Sequence, residues 1–157
     1  KTLVNAKKIR NLKTLIFNNF LKKNKLKPRT GVIDIIKYCK KNKIKIGFVT
    51  STTKNNVDAV FISLNKYIKK RDFDYIGHDK IIKNFNNKTD IYLHCLKKLK
   101  LSNKNCLAIE DTEISLKYAK KAKLKCIAFP GDFHRSGKYK DSFIKVRRLN
   151  SKIFADL

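Results

Sequence analysis

The stretch Ile44-Lys45-Ile46-Gly47-Phe48-Val49-Thr50-Ser51-Thr52-Thr53-Lys54 decides how this chain folds. Its first six residues form a short, mostly apolar block, too brief for a stable helix, which reads as a buried strand. A run of hydroxyl residues follows directly, and from about Asn55 to Ile68 the pattern becomes helical. The same order recurs downstream. Cys106-Leu107-Ala108-Ile109 reads as a strand, runs into Glu110-Asp111-Thr112-Glu113, and gives way to a helix from Glu113 to Lys123.

Outward from these two segments the alternation continues. A helix is expected from Val32 to about Lys41, a short strand at Phe73-Asp74-Tyr75-Ile76, a helix from Asp90 to about Leu99, and a strand at Cys126-Ile127-Ala128-Phe129. Strands alternating with helices imply crossover units, and so a mainly parallel sheet covered by helices on both faces. Such sheets bind ligands beyond the carboxyl ends of their strands. Ahead of this series, Ile9, Leu12, Ile16 and Phe20 recur at helical spacing between Asn5 and about Asn24. Lys27-Pro28-Arg29-Thr30-Gly31 breaks that helix and reads as a hinge or domain junction. Beyond Pro130 the chain is poorly patterned, with a last apolar stretch near Phe143 to Val146.

With 157 residues and 42% hydrophobic content, the chain can bury one real core and is too short for two ordinary domains. A net charge of +27 admits a polyanion such as nucleic acid as partner. Only six of the 39 basic residues are Arg, the side chain whose planar fork matches phosphate, so a basic, non-catalytic nucleic-acid-binding module is the alternative rather than the favoured reading. Cys39, Cys95, Cys106 and Cys126 form no C-x-x-C pair, which argues against a zinc knuckle and for reduced thiols in a cytoplasmic protein. No apolar run approaches a membrane span, and no signal-peptide pattern opens the chain.

The residues at the two strand ends carry the chemistry. A hydroxyl cluster leading into a helix can hold a phosphate through side-chain hydroxyls, backbone N–H groups and the positive end of the helix dipole. Paired carboxylates at a neighbouring strand end suit a hard cation such as Mg²⁺, which takes a few oxygen ligands together with water and substrate phosphate. Taken singly, both features also serve as helix caps. Together, at strand ends of one alternating chain, they point to a phosphate and metal site.

At these residues the chain resembles the haloacid dehalogenase superfamily of phosphohydrolases. Phe48-Val49-Thr50-Ser51-Thr52 is similar to the family's second motif, and Cys106 to Thr112 to its fourth, the "ED-S/T" form. Asp90-Ile91-Tyr92-Leu93, Tyr118-Ala119-Lys120-Lys121-Ala122 and Ile127-Ala128-Phe129-Pro130 extend the match in order and spacing. Lys13-Thr14 and Pro28-Arg29-Thr30-Gly31-Val32 resemble the return from the helical cap in the β-phosphoglucomutase and CbbY-like subfamily. The resemblance implies a Rossmann-like parallel sheet with helices on both faces, here as residues 28–157, and the remnant of a helical cap with its return linker as residues 1–27. It implies a phosphatase or phosphomutase that uses Mg²⁺ and a small phosphorylated sugar. Thr50 would bind the transferring phosphoryl group, with Ser51, Thr52, Lys54 and Lys13 near the substrate, and Glu110 and Asp111 would hold the metal. The third-motif lysine is assigned to Lys88, with Lys83 as the alternative. The family usually reads K-P-x-P-D at this point, whereas Asn86-Asn87-Lys88-Thr89-Asp90 brings the lysine two residues nearer the aspartate and has neither proline.

One element of the family's chemistry is not in this sequence. The nucleophile is the first Asp of a D-x-D motif at the end of an apolar first strand, and no such strand precedes the first helix. Asp72-Phe73-Asp74 follows Lys69-Lys70-Arg71 rather than a buried strand and reads as a decoy. The expectation is an N-terminally incomplete chain, inactive alone, whose nucleophile lies outside these residues. A naturally degenerate family member is the other explanation. The persistence of Thr50, Glu110 and Asp111 together favours the first.

Overall fold

In the computed structural model the described residues are 5–81 and 88–154. Five helices and five strands alternate: α1 (Ala6–Lys23), α2 (Val32–Lys41), β1 (Gly47–Val49), α3 (Lys54–Leu64), β2 (Tyr75–Gly77), α4 (Asp90–Leu99), β3 (Leu107–Glu110), α5 (Glu113–Lys121), β4 (Lys125–Ala128) and β5 (Ile144–Lys145). All pairings are parallel. They form two half-sheets among the described residues, β1 with β2 and β3 with β4 and β5.

Side-chain alternation assigns each strand two faces. On one face Cys126 and Ala128 of β4, with Ala108 of β3 and Val49 of β1, pack against Ile91 and Tyr92 of α4 and Leu116 and Ala119 of α5. On the other, Ile127 and Phe129 join Leu107 and Ile109 beneath Ile35 and Cys39 of α2. The neighbouring Ile36 of α2 instead enters a cluster with Val57 and Phe61 of α3, against Ile46, Phe48 and Ile76 of the β1 half. Helix α2 is therefore a strap across the two half-sheets on this face, as α4 is on the other. The α2 strap starts at Gly31, whose φ of +88° is open to glycine and costly for other residues. A side chain there would also run into the carbonyl of Leu149.

The ends of the elements have local causes. Thr53 caps α3 by accepting from Asn56 N, and Thr112 caps α5 by accepting from Ser115 N at 3.2 Å. Just beyond the ends of α2, α4 and α5, Lys43, Lys100 and Lys123 adopt the left-handed conformation, a position glycine usually fills in a chain that has only five glycines. β1 is shorter than the expected Ile44–Val49. The carboxylate of Asp74 takes the Ile46 N–H at 2.7 Å, so the ladder to β2 begins only at Gly47. Phe73 is likewise drawn out of the expected strand into edge-to-face contacts with Phe48 and Phe61, and the strand runs Tyr75–Gly77 instead.

Helix α1 packs along α3, and its Leu21 is 1% exposed. The following linker is tied to α3 by Ser63, a fully buried hydroxyl that donates to Asn24 O at 2.6 Å and accepts from Leu26 N. The apolar stripe of α1 is left open: Ile9, Leu12, Ile16 and Phe20 are each more than half exposed. Among the described residues no helix is long and apolar enough to cross a membrane. The four cysteines are free thiols, as expected, with Cys39 and Cys126 buried.

Candidate functional site

The residues that follow β1 and β3 come together in space. A cleft of about 170 Å³ lies there, lined by Val49, Thr50, Ser51, Lys88, Ile91, Tyr92, Glu110, Asp111, Ser115 and Tyr118. It joins the hydroxyl run after β1 to the carboxylate pair after β3, with the first turns of α4 and α5 as its walls.

On the β1 side, the Thr50 hydroxyl accepts from Thr52 N at 3.2 Å, which folds the turn back toward the head of α3. The backbone of Thr52 also holds the loop after β2, accepting from Asp79 N at 3.0 Å. On the β3 side, Glu110 is the last strand residue, in register with Ala128, and its carbonyl accepts from Phe129 N at 2.7 Å. The carbonyl of Asp111 accepts from the phenol of Tyr139 at 2.7 Å, so the backbone of the carboxylate pair is fixed from both sides. Arg29 of the linker reaches the adjoining strand end. Its guanidinium lies 3.4 Å over the Phe129 ring and donates to the carbonyls of Phe129 and Pro130.

The two carboxylates have different surroundings. Asp111 is exposed, whereas burial pushes the Glu110 carboxyl up to about 7. The hydrogen bond that Tyr92 donates to Glu110 at 2.8 Å opposes that rise, and the charge of Asp111 adds to it. The charge of Glu110 acts in turn on its neighbours: beyond the effect of their own burial, it raises the Tyr92 phenol and the Cys126 thiol, the latter to about 12. An all-oxygen set of two carboxylates and nearby hydroxyls fits a hard divalent cation, and such an ion would favour the ionised form of Glu110. Among the described residues no group of three or more His, Cys, Asp or Glu side chains gathers at one point.

The structure brings Thr50, Ser51, Lys88, Glu110 and Asp111 to one cleft and leaves three of the expected site residues outside its lining. Thr52 turns its hydroxyl to the side-chain amide of Asn56. Lys54 is engaged by Asp58 one helical turn on, at 2.8 Å. Lys13 sits exposed on α1, which packs on α3 and does not reach the cleft. Lys88 lies at the cleft mouth with its ammonium 5.9 Å from the centre of the Tyr118 ring. Lys83 lies outside the described residues. Asp72 and Asp74 stand at the opposite end of the sheet, one paired with Lys40 at 2.6 Å and the other holding Ile46 N. Tyr92 and Tyr118 were not among the expected site residues. Tyr92 stands in the quoted stretch after Asp90, but only the packing of α4 shows that its hydroxyl meets Glu110.

Known proteins are similar to this chain in sequence and fold. The model of the haloacid dehalogenase-like hydrolase family matches residues 1–129. Protein CbbY of Cereibacter sphaeroides is 28% identical over 127 residues, covering 81% of this chain and 55% of the relative, so the chain spans about half the length of that protein. A structure of CbbY from Rhodobacter sphaeroides in complex with xylulose-(1,5)bisphosphate superposes with a TM-score of 0.80 at 26% identity, over 90% of this chain and 63% of that one. β-Phosphoglucomutase from Clostridium difficile shares the fold, with a TM-score of 0.71 at 21% identity over 88% of this chain and 60% of that one. With the family model matched over most of its length, this chain belongs to the haloacid dehalogenase-like hydrolases.

Proposed function

We propose that the chain is the larger part of a Mg²⁺-dependent phosphatase or phosphomutase acting on a small sugar phosphate through an aspartyl-phosphate, with the nucleophilic Asp supplied from outside these 157 residues. The observation that carries this reading is the cleft itself, in which Thr50 and Ser51, Lys88, and Glu110 with Asp111 converge at the carboxyl ends of parallel strands. The sugar-phosphate class is supported by the ligand of a similar protein, the CbbY solved with xylulose-(1,5)bisphosphate. We place the protein in the cytoplasm, in keeping with its free thiols.

Three features support a nucleophile brought by another segment. β1 and β3 each have one strand partner among the described residues, and Ile46 packs in the same cluster as Leu107 and Ile109, so their unpaired edges face each other. A strand entering between them would end between Thr50 and Glu110. The metal site needs further oxygen donors beyond two carboxylates. The open stripe of α1 would be covered by the rest of a cap, of which residues 1–27 are the remnant.

In this reading Glu110 and Asp111 would hold Mg²⁺, which supplies positive charge against the phosphoryl oxygens. The Thr50 hydroxyl donates to a phosphoryl oxygen, and the Lys88 ammonium neutralises the same group. The incoming carboxylate oxygen forms a bond to phosphorus as the bond to the ester oxygen breaks, and that oxygen takes a proton from the second Asp of the same segment. Water or a sugar hydroxyl then forms a bond to phosphorus as the bond from the nucleophilic carboxylate to phosphorus breaks, and its proton passes to the second Asp, which returns both carboxyl groups to their starting forms.

The test is to join an apolar strand ending in D-x-D to the chain, together with the cap that links it to α1. That protein is expected to release phosphate from small sugar phosphates with Mg²⁺, and Asp111→Ala to abolish the release, while the 157 residues alone release none. Absence of Mg²⁺-dependent release, or release unaffected by Asp111→Ala, overturns the reading.

A further inference from the structure

Glu110 meets the cleft through only part of its carboxylate. Oxygen Oε1 accepts from the Tyr92 phenol at 2.8 Å, and that phenol is also 3.3 Å from Ser115 O on the opposite wall. Tyr92 is 5% exposed and is fixed among Ile91, Leu116, Ala119, Cys126 and Ala128, so its ring has no room to turn away.

We propose that Tyr92 is a positioning residue that biases the cation selectivity of the cleft, by holding Glu110 Oε1 in a hydrogen bond so that Glu110 would meet a metal ion through one oxygen in preference to both. The inference rests on the reading that Glu110 and Asp111 hold a divalent cation. Its physical basis is the difference between two hard cations. Mg²⁺ demands near-octahedral geometry with ligands at about 2.0–2.1 Å and takes carboxylates through one oxygen. Ca²⁺ accepts six to eight ligands at about 2.3–2.6 Å and readily takes both oxygens of one carboxylate. A phenol bonded to Oε1 competes with a metal ion for that oxygen and so disfavours the two-oxygen mode, which Ca²⁺ uses more readily than Mg²⁺. The same hydrogen bond pre-orients Oε2, which favours the ion with the stricter geometry.

The test uses the protein completed with the D-x-D strand and cap, which brings the further oxygen donors, and Mn²⁺ as a paramagnetic probe, displaced by Mg²⁺ and by Ca²⁺ in parallel titrations. Tyr92→Phe keeps the ring and removes the donor. It is expected to weaken Mg²⁺ by about tenfold, as loss of an outer-shell partner does, while Ca²⁺ holds or gains, so that the Ca²⁺ to Mg²⁺ affinity ratio rises by about that factor. Fluorotyrosine at position 92, a stronger donor of the same shape, is expected to lower the ratio, and it serves if the Phe variant loses its melting transition. Tyr75→Phe removes another half-buried phenol, the one paired with His94 at 2.6 Å outside the cleft, and should leave the ratio unchanged. A ratio unmoved by both Tyr92 substitutions, or moved equally by Tyr75→Phe, overturns the proposal while leaving the metal site standing. If neither Mg²⁺ nor Ca²⁺ displaces Mn²⁺ from the unsubstituted chain, or Mn²⁺ does not bind, the metal reading falls and this inference with it.

Discussion

Strands β4 and β1 belong to the two half-sheets, and they differ in how much of the molecule surrounds them. β4 has a partner on each side, and Cys126, Ile127 and Ala128 are 1% exposed or less. β1 has one partner among the described residues, is three residues long and begins at an exposed glycine. The difference bears on the site. Glu110 and Asp111 are positioned by the strand beside β4, on the well-buried half, whereas Thr50 is positioned by the thinner half. What holds the thinner half is the α2 strap and the Phe48, Phe61 and Phe73 trio, rather than a second strand.

If the strap joins the halves, breaking its start should have the largest effect. Gly31→Ala forces a side chain into a positive-φ position and against the Leu149 carbonyl, and should destabilise the chain by more than about 3 kcal/mol. Circular dichroism melting checks this; a transition within a few degrees of the parent would show that α2 does not depend on this entry. The next pair of substitutions separates the halves. Ile127→Ala, at a position 1% exposed, should cost about 3 kcal/mol and speed amide exchange throughout. Phe73→Ala should speed exchange in β1 and β2 and leave the amides of Cys126 to Ala128 protected. Equal loss of protection in both halves would show that the chain opens as one unit.

The smallest effect comes from the boundary between the halves. Unfolded, Glu110 titrates near 4.5, and burial raises it to about 7 when folded. The folded chain therefore keeps a proton that the unfolded chain has released. The stability this contributes is complete below about pH 4.5 and is lost as pH rises through about 7. Glu110→Gln cannot ionise, so without divalent cations its stability relative to the parent should improve between pH 4.5 and pH 8, by about 2 kcal/mol. Urea unfolding at the two pH values measures it, and a difference that stays constant would mean that Glu110 is solvated.

Much of the fold was legible in the chain. Apolar blocks of strand length, each followed by helical periodicity, located all the helices and four strands, and the hydroxyl and carboxylate runs after two of them marked the cleft. The boundaries were less legible where a side chain intervened, as Asp74 does at Ile46 and Phe73 does in the aromatic trio. The tail was hardest to read. Ile144 and Lys145 pair with β4 through Phe143 N to Cys126 O and Val146 N to Ala128 O, both at 2.8 Å, and Leu149 and Ile153 complete the core under α2. Two residues of strand are too short for a period to show. Their pairing depends on where β4 already lies.

The amino-acid order by itself determined the alternating parallel architecture, the family, and the residues at the two strand ends, because periodicity and adjacency are properties of the chain. Only the tertiary structure decided which lysines and hydroxyls reach the cleft, that helices bridge two half-sheets, and that Tyr92 meets Glu110. Those facts depend on separations between elements distant in sequence. They are set by packing across the layers and not by any pattern along the chain.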